Sequence, residues 1–162
     1  MPHIAFVGMG SNLGASCEQL RHALTDIEQL PGTRLLARSS LYRSAPVGFL
    51  EQPDFVNAVA KIATTLTPQA LLSALLSIER QHGRERAFRN APRTLDLDVL
   101  LYDDVRLHEH GLTIPHPLMH LRAFVLQPLL EIDPDCTIPA IGQAQDAMQC
   151  CLDQVMEKLE AV

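Results

Sequence analysis

An α+β fold of the ferredoxin-like kind is predicted by three features of the sequence. Two segments with helical spacing of apolar residues each separate strand-like segments, giving the order β-α-β-β-α-β over residues 3–101. The last of these strands alternates acidic and apolar residues, as expected of a sheet covered on one face. A chain of 162 residues with 47% hydrophobic content supports one core of ordinary depth and no second one. The expected architecture is therefore a βαββαβ sandwich with both helices on one face of an antiparallel sheet. A C-terminal hairpin and helices follow, with residues 1–162 as a single domain.

Each element has a local reason. Residues 3–9 form a continuous apolar run ending at Gly8 and Gly10, which reads as a buried strand closing into a tight turn. Leu20, Ala23, Leu24, Ile27 and Leu30 recur at helical spacing, and Pro31-Gly32 ends that helix. A second strand is expected over 34–43. After a long proline-containing connection, 44–54, the stretch FVNAVAKIAT at 55–64 reads as a third strand. Its period of two puts Val56, Ala58, Ala60 and Ile62 on one face and Phe55, Asn57, Val59 and Lys61 on the other. Thr67 as N-cap and Pro68 as first helical residue open the second helix. The fourth strand, 95–101, should place Asp96, Asp98 and Leu100 on one face and Leu95, Leu97, Val99 and Leu101 against the helices. Beyond it, 113–116 is expected to be short and extended, LRAFVLQPLLEI helical as far as Pro128, and 145–159 a surface helix.

Charge and composition exclude several classes. A net charge of -6 argues against a nucleic-acid coat or an anionic-membrane binder, so any anion site must be local. Cys17, Cys136, Cys150 and Cys151 show no zinc-ligand spacing, and they read as reduced thiols of a cytoplasmic protein. The N-terminus lacks the charged and apolar regions of a signal peptide, and no apolar run is long enough to span a bilayer.

The chemistry concentrates in RERAFRNAPRTLDLD, residues 84–98. Arg84, Arg86, Arg89 and Arg93 supply guanidiniums suited to bidentate phosphate contacts, without a single Lys among them. Asp96 and Asp98 follow on one strand face, roughly 7 Å apart, a spacing at which both can ligate hard cations. Carboxylates repel phosphate unless a metal intervenes, so the combination points to a metal-polyphosphate site rather than a solvated loop. His116, held between Pro115 and Pro117, can reach the same site as a donor to phosphate or as an acid. His82, His108, His110 and His120 have no comparable context and read as surface residues. Phe55 and Asn57 share a face and offer a stacking ring beside an amide for the edge of a heterocycle. GMGSNLG lacks the features of a phosphate-binding glycine loop and reads as a strand-to-helix turn.

Six fragments, GSNLG, SSLYRSAPVG, QPDFVNAV, PRTLDLD, IPHP and RAFVLQPLLEI, resemble in order and spacing the 6-hydroxymethyl-7,8-dihydropterin pyrophosphokinases of folate biosynthesis. The resemblance implies an enzyme that moves pyrophosphate from ATP to the hydroxymethyl group of a reduced pterin, releasing AMP. It implies that Asp96 and Asp98 ligate two Mg²⁺ ions, and that Arg84, Arg93, His116 and Arg122 contact the nucleotide, with Thr113 and the backbone of Val99 near adenine. Phe55 and Phe124 would stack on the pterin and Asn57 and Asp96 bond it, while Ser44, Ala45 and Val47 line its pocket. Phe55 stands where relatives often carry tyrosine, Asn90 where some carry an aromatic lid residue, and Pro117 where others carry tyrosine. The segments 44–54 and 83–93 are expected to close over the site, and the working form is expected to be a monomer. Rival readings are a non-catalytic ferredoxin-like module whose arginine loop docks an anionic ligand or RNA, and a Mg²⁺-dependent nucleotidyl or ordinary kinase-type transferase, the kinase releasing ADP.

Overall fold

The structure, a computed structural model, describes residues 2–12, 16–44, 55–82, 95–109 and 111–161. Its chain order is β1 (His3–Ser11), α1 (Ser16–Glu28), β2 (Thr33–Arg38), β3 (Ser40–Ser44), β4 (Phe55–Thr64), α2 (Pro68–His82) and β5 (Asp96–Tyr102). There follow β6 (Leu107–Glu109), β7 (Leu112–Ile114), a 3-10 turn (Met119–Leu121), α3 (Ala123–Ile132), β8 (Thr137–Ile138), β9 (Gly142–Gln143), α4 (Ala144–Gln149) and β10 (Met156–Ala161). The main sheet is antiparallel in the order β10-β3-β4-β1-β5, with β2 on the same edge of β4 as β3.

The predicted helices and strands form where their periodicities place them. Leu20, Ala23, Leu24 and Ile27 of α1 and Leu71, Leu75 and Ile78 of α2 are buried against Val7, Met9, Ala58, Ala60 and Ile62. Each fully buried aliphatic side chain contributes about 2 kcal/mol, so this layer carries much of the fold. Thr67 caps α2 as expected, its Oγ1 accepting the Ala70 N–H at 3.1 Å.

Several expectations are corrected. The expected strand 34–43 is two strands, because Ser39 interrupts it: Ser39 N–H donates to the Val59 carbonyl and Val59 N–H donates to Ser39 Oγ, both at 2.9 Å. Leu101 was expected on the helix face, but Phe6 pairs with Leu101 and Val7 with Val99. The extra residue of this bulge puts Leu100 and Leu101 together in the second core, on the other face. Gly8 and Gly10 lie within β1 rather than in a turn, since the strand runs on to Ser11.

The sheet is not open on its second face. α3 passes through Pro128, because Ala123, Val125, Leu126, Pro128 and Leu129 are all buried and their packing outweighs the one missing helical N–H. With Met119, Cys136, Ile138, Ala144 and Cys151 they cover Phe6, Val59, Leu100 and Leu101. The expected helix at 145–159 is only α4 plus a turn. β10 then pairs with β3, Met156 opposite Ser44 and Lys158 opposite Tyr42, covering an edge that would otherwise expose unpaired backbone. Glu131 of α3 fastens this side: Tyr42 OH and Ser40 Oγ each donate to its carboxylate at 2.7 Å, and Ser40 N–H at 3.0 Å. Burial pushes the Glu131 carboxyl up, but bonds from Tyr42 and Ser40 and the charge of Lys158 together hold it below its usual value. His82, read as a surface residue, is half-buried at the end of α2, its ring nitrogens 2.6 Å from Gln19 Oε1 and 2.9 Å from Asp26 Oδ2 of α1. Among the described residues no helix is long and apolar enough to cross a membrane.

Candidate functional site

Where α3 stops short of covering the second face, a cavity of about 990 Å³ remains over β4, β1 and β5. Its floor follows from strand register. Asn57 of β4 is opposite Gly10 of β1, and Gly10 is opposite Asp96 of β5; one rung further, Val59, Gly8 and Asp98 align. The middle strand thus carries no side chain on this floor, between an amide on one flank and two carboxylates on the other. A Cβ on Gly10 would sit 2.8 Å from Asn57 Oδ1, and one on Gly8 3.2 Å from the Leu100 side chain. Asn57 is 7% exposed, and its Nδ2 donates to Ser44 Oγ at 3.3 Å. A β-carbon at position 10 would therefore have to displace a well-held amide.

Asp96 is exposed and Asp98 half-buried, so burial is graded along the acidic face of β5. Between them, the Leu97 N–H donates to Glu79 Oε2 of α2 at 2.7 Å, which ties this length of strand to the helix layer. His116 is brought alongside by its backbone N–H, which donates to the Leu100 carbonyl at 3.0 Å. Its Nδ1 accepts the Leu118 N–H at 3.2 Å, so the neutral ring carries its proton on Nε2. Burial holds the His116 pKa below its usual value; Asp98 and Asp96 oppose that shift and Arg122 adds to it. The ring is therefore neutral at physiological pH and offers one N–H donor. Arg122 and Phe124 enter from the start of α3, with the guanidinium carbon 5.4 Å from the ring centroid, within cation–π range.

Of the residues expected at the site, Ser44, Phe55, Asn57, Asp96, Asp98, His116, Arg122 and Phe124 all line this cavity. Arg84, Arg93, Ala45 and Val47 lie outside the described residues, as do Arg86, Arg89, Asn90 and, apart from Ser44, the two segments expected to close over the site. Val99 and Thr113 are not in the wall. The Val99 side chain is buried in the core facing α1 and α2, and Thr113 sits on the β6–β7 hairpin with its Oγ1 3.4 Å from His108 Nδ1. Sequence reasoning missed Gly8 and Gly10 as floor, Ser11 and Asn12 beside them, and Leu121, Gln154, Val155 and Met156 as wall. Ser11 Oγ is buried without a hydrogen-bond partner among the described residues, a polar atom at the cavity that a bound group can satisfy. The glycines had a legible signal, being two residues apart in a strand. The C-terminal residues had none.

Among the described residues no cluster of three or more His, Cys, Asp or Glu side chains forms a cage of its own for a metal. Two carboxylates on one strand face suit a hard cation that completes its shell with water and ligand oxygens.

The model of the family described as 7,8-dihydro-6-hydroxymethylpterin-pyrophosphokinase (HPPK) matches residues 6–134. A 2-amino-4-hydroxy-6-hydroxymethyldihydropteridine pyrophosphokinase of Haemophilus influenzae is 46% identical over 155 residues, covering 96% of this chain and 97% of that one. One of the same name from Pseudomonas aeruginosa is 45% identical over 154 residues, 95% of each. A solved HPPK-DHPS chain in complex with substrates superposes with a TM-score of 0.73 at 15% identity, over 94% of this chain and 44% of that one. The chain thus spans less than half of that solved protein, and the likeness there is one of fold.

Proposed function

The chain belongs to the 7,8-dihydro-6-hydroxymethylpterin-pyrophosphokinase family, and from that premise we propose that its cavity is where pyrophosphate passes from ATP to 6-hydroxymethyl-7,8-dihydropterin. The products are the pterin diphosphate, an intermediate of folate biosynthesis, and AMP. The observation that carries this placement is the rung Asn57–Gly10–Asp96, which sets a heterocycle-binding amide and a metal-binding carboxylate side by side across a bare strand.

The pterin ring lies between Phe55 and Phe124, with Asn57 on its edge and Ser44, Ala45 and Val47 around it. The triphosphate lies toward Asp96 and Asp98. There His116 donates its Nε2–H to a phosphate oxygen and Arg122 adds a guanidinium, while Arg84 and Arg93 supply two more. Thr113 and the backbone of Val99 belong to the adenine end. Asp96 and Asp98 would hold two Mg²⁺ ions, which when bound neutralise phosphate charge and favour the alkoxide character of the attacking hydroxyl. The hydroxymethyl oxygen forms a bond to the β-phosphorus as the bond from that phosphorus to the α–β bridging oxygen breaks. The hydroxyl proton passes to Asp98 or to water, and AMP leaves.

The same reading takes the fold as a ferredoxin-like βαββαβ sandwich, with β2 and β3 counted as one interrupted strand, and residues 1–162 as one domain. The sheet order and the placement of α1 and α2 on one face support it. It takes the working form as a cytoplasmic monomer. The experiment is product analysis of the purified chain with Mg-ATP, with and without the pterin. AMP formed only when the pterin is present supports the proposal; ADP indicates ordinary kinase chemistry, and no turnover indicates a binding module.

A further inference from the structure

α3 begins without a cap of its own. The residue at its N-cap position is Arg122, whose side chain makes no capping bond and carries only donors. The Ala123 N–H, one of the groups that a helix start leaves without an intrahelical acceptor, is instead satisfied from 31 residues away. It donates to Gln154 Oε1 at 2.9 Å, and the same amide donates through Nε2 to the Leu121 carbonyl at 3.0 Å. One side chain therefore bonds the backbone on both sides of Arg122. Arg122 is the residue whose guanidinium lies over the Phe124 ring, and all three side chains line the cavity.

We infer that Gln154 is a positioning residue for substrate binding: its carboxamide clamps the backbone around Arg122 and so fixes Arg122 and Phe124 in the cavity wall. Gln154 lies beyond residues 6–134, which the family model matches. The residues between α4 and β10 are Cys150, Cys151, Leu152, Asp153, Gln154 and Val155, so Gln154 is the one carboxamide of this turn, accepting through oxygen and donating through nitrogen. An oxygen must face the Ala123 N–H and an N–H must face the Leu121 carbonyl, which is the complement an amide supplies and neither a carboxylate nor a thioether can. β10 sets the reach, because Met156 pairs with Ser44, itself a cavity residue. The inference rests on the reading of Arg122 as a nucleotide contact and Phe124 as a pterin contact.

The test uses steady-state kinetics on the full chain, with thermal unfolding recorded for every variant. Gln154→Met keeps length and loses both bonds; Gln154→Glu keeps the acceptor and loses the donor. The KM values for Mg-ATP and for the pterin are expected to rise about tenfold in Gln154→Met and less in Gln154→Glu, with kcat within about threefold of the parent. In an Arg122→Ala background, Gln154→Met should add little to the KM for Mg-ATP. A structural role alone would lower the unfolding temperature or the active fraction and leave both KM values in place, and that result overturns the inference. Arg122→Ala and Phe124→Ala are run alongside. If they raise the KM values while Gln154→Met does not, the clamp is wrong and the site reading stands; if they leave the KM values unchanged, the site reading falls and the clamp with it.

Discussion

The floor and the rim of the cavity are built by different means. The floor is a piece of sheet, with Asn57, Gly10 and Asp96 on one rung and Val59, Gly8 and Asp98 on the next, so backbone hydrogen bonds fix the spacing of its groups. The rim is assembled from segments distant in sequence: the stretch that joins the 3-10 turn to α3, and the turn that precedes β10, fastened by the Gln154 amide. A change on the floor meets groups that the sheet register leaves no room to relax, while a change at the rim loosens a wall. Floor substitutions should therefore cost turnover, and rim substitutions should cost affinity.

The largest effect is expected at the carboxylates. Asp96→Ala, Asp98→Ala and, from the arginine-rich segment, Arg93→Ala should each lower kcat/KM at least about a hundredfold, the scale of losing one electrostatic contact to developing charge. A rim-sized loss confined to KM would erase the contrast. Next comes Gly10→Ala, which drives a Cβ to 2.8 Å from Asn57 Oδ1 and should lower kcat roughly tenfold. The effect should largely vanish in an Asn57→Ala background; if it persists there, the floor is not acting through that amide. Phe124→Ala should raise the pterin KM by about three- to tenfold with kcat little changed, the loss of one stacking ring.

The smallest effect lies outside the cavity, at Glu131. Its carboxyl is held below the usual value, so the stabilisation it gives is present above the ordinary carboxylate range and is lost as pH falls through the lowered value. Glu131→Gln should cost about 1 kcal/mol at neutral pH, roughly 2–4 °C in Tm for a chain of this size. The deficit should shrink on acidification toward pH 4 while turnover stays near that of the parent. A deficit independent of pH, measured by thermal unfolding across that range, would remove the carboxylate from the account.

The same contrast explains what was legible beforehand. The floor is local: a period of two places Asn57 with Phe55 and Asp96 with Asp98 before any partner strand is known, and Thr67 marks where α2 begins. What failed there was one residue of bulge, which turned Leu101 to the other face, and the reading of Gly8 and Gly10 as a turn when their work is to leave a strand bare. The rim is non-local. Nothing near Gln154 announces that it will cap a helix starting at Ala123, and 145–159 has apolar spacing that fits a helix as well as the strand β10. Pro128 argued for a stop that the burial of Leu126 and Leu129 overrode. His82 bonds α1 only because two helices pack, a fact no window of sequence contains.

The central claim is that Asp96 and Asp98 carry the transfer across a floor held by Gly8 and Gly10. The most direct measurement is pterin-dependent AMP release by the purified full chain with Mg-ATP, compared with Asp98→Asn, an isosteric change that keeps the fold and removes one charge. AMP release by the parent, and a loss of at least about a hundredfold in the variant at unchanged unfolding temperature, is the result expected. Near-parent AMP release by a folded Asp98→Asn chain would contradict it.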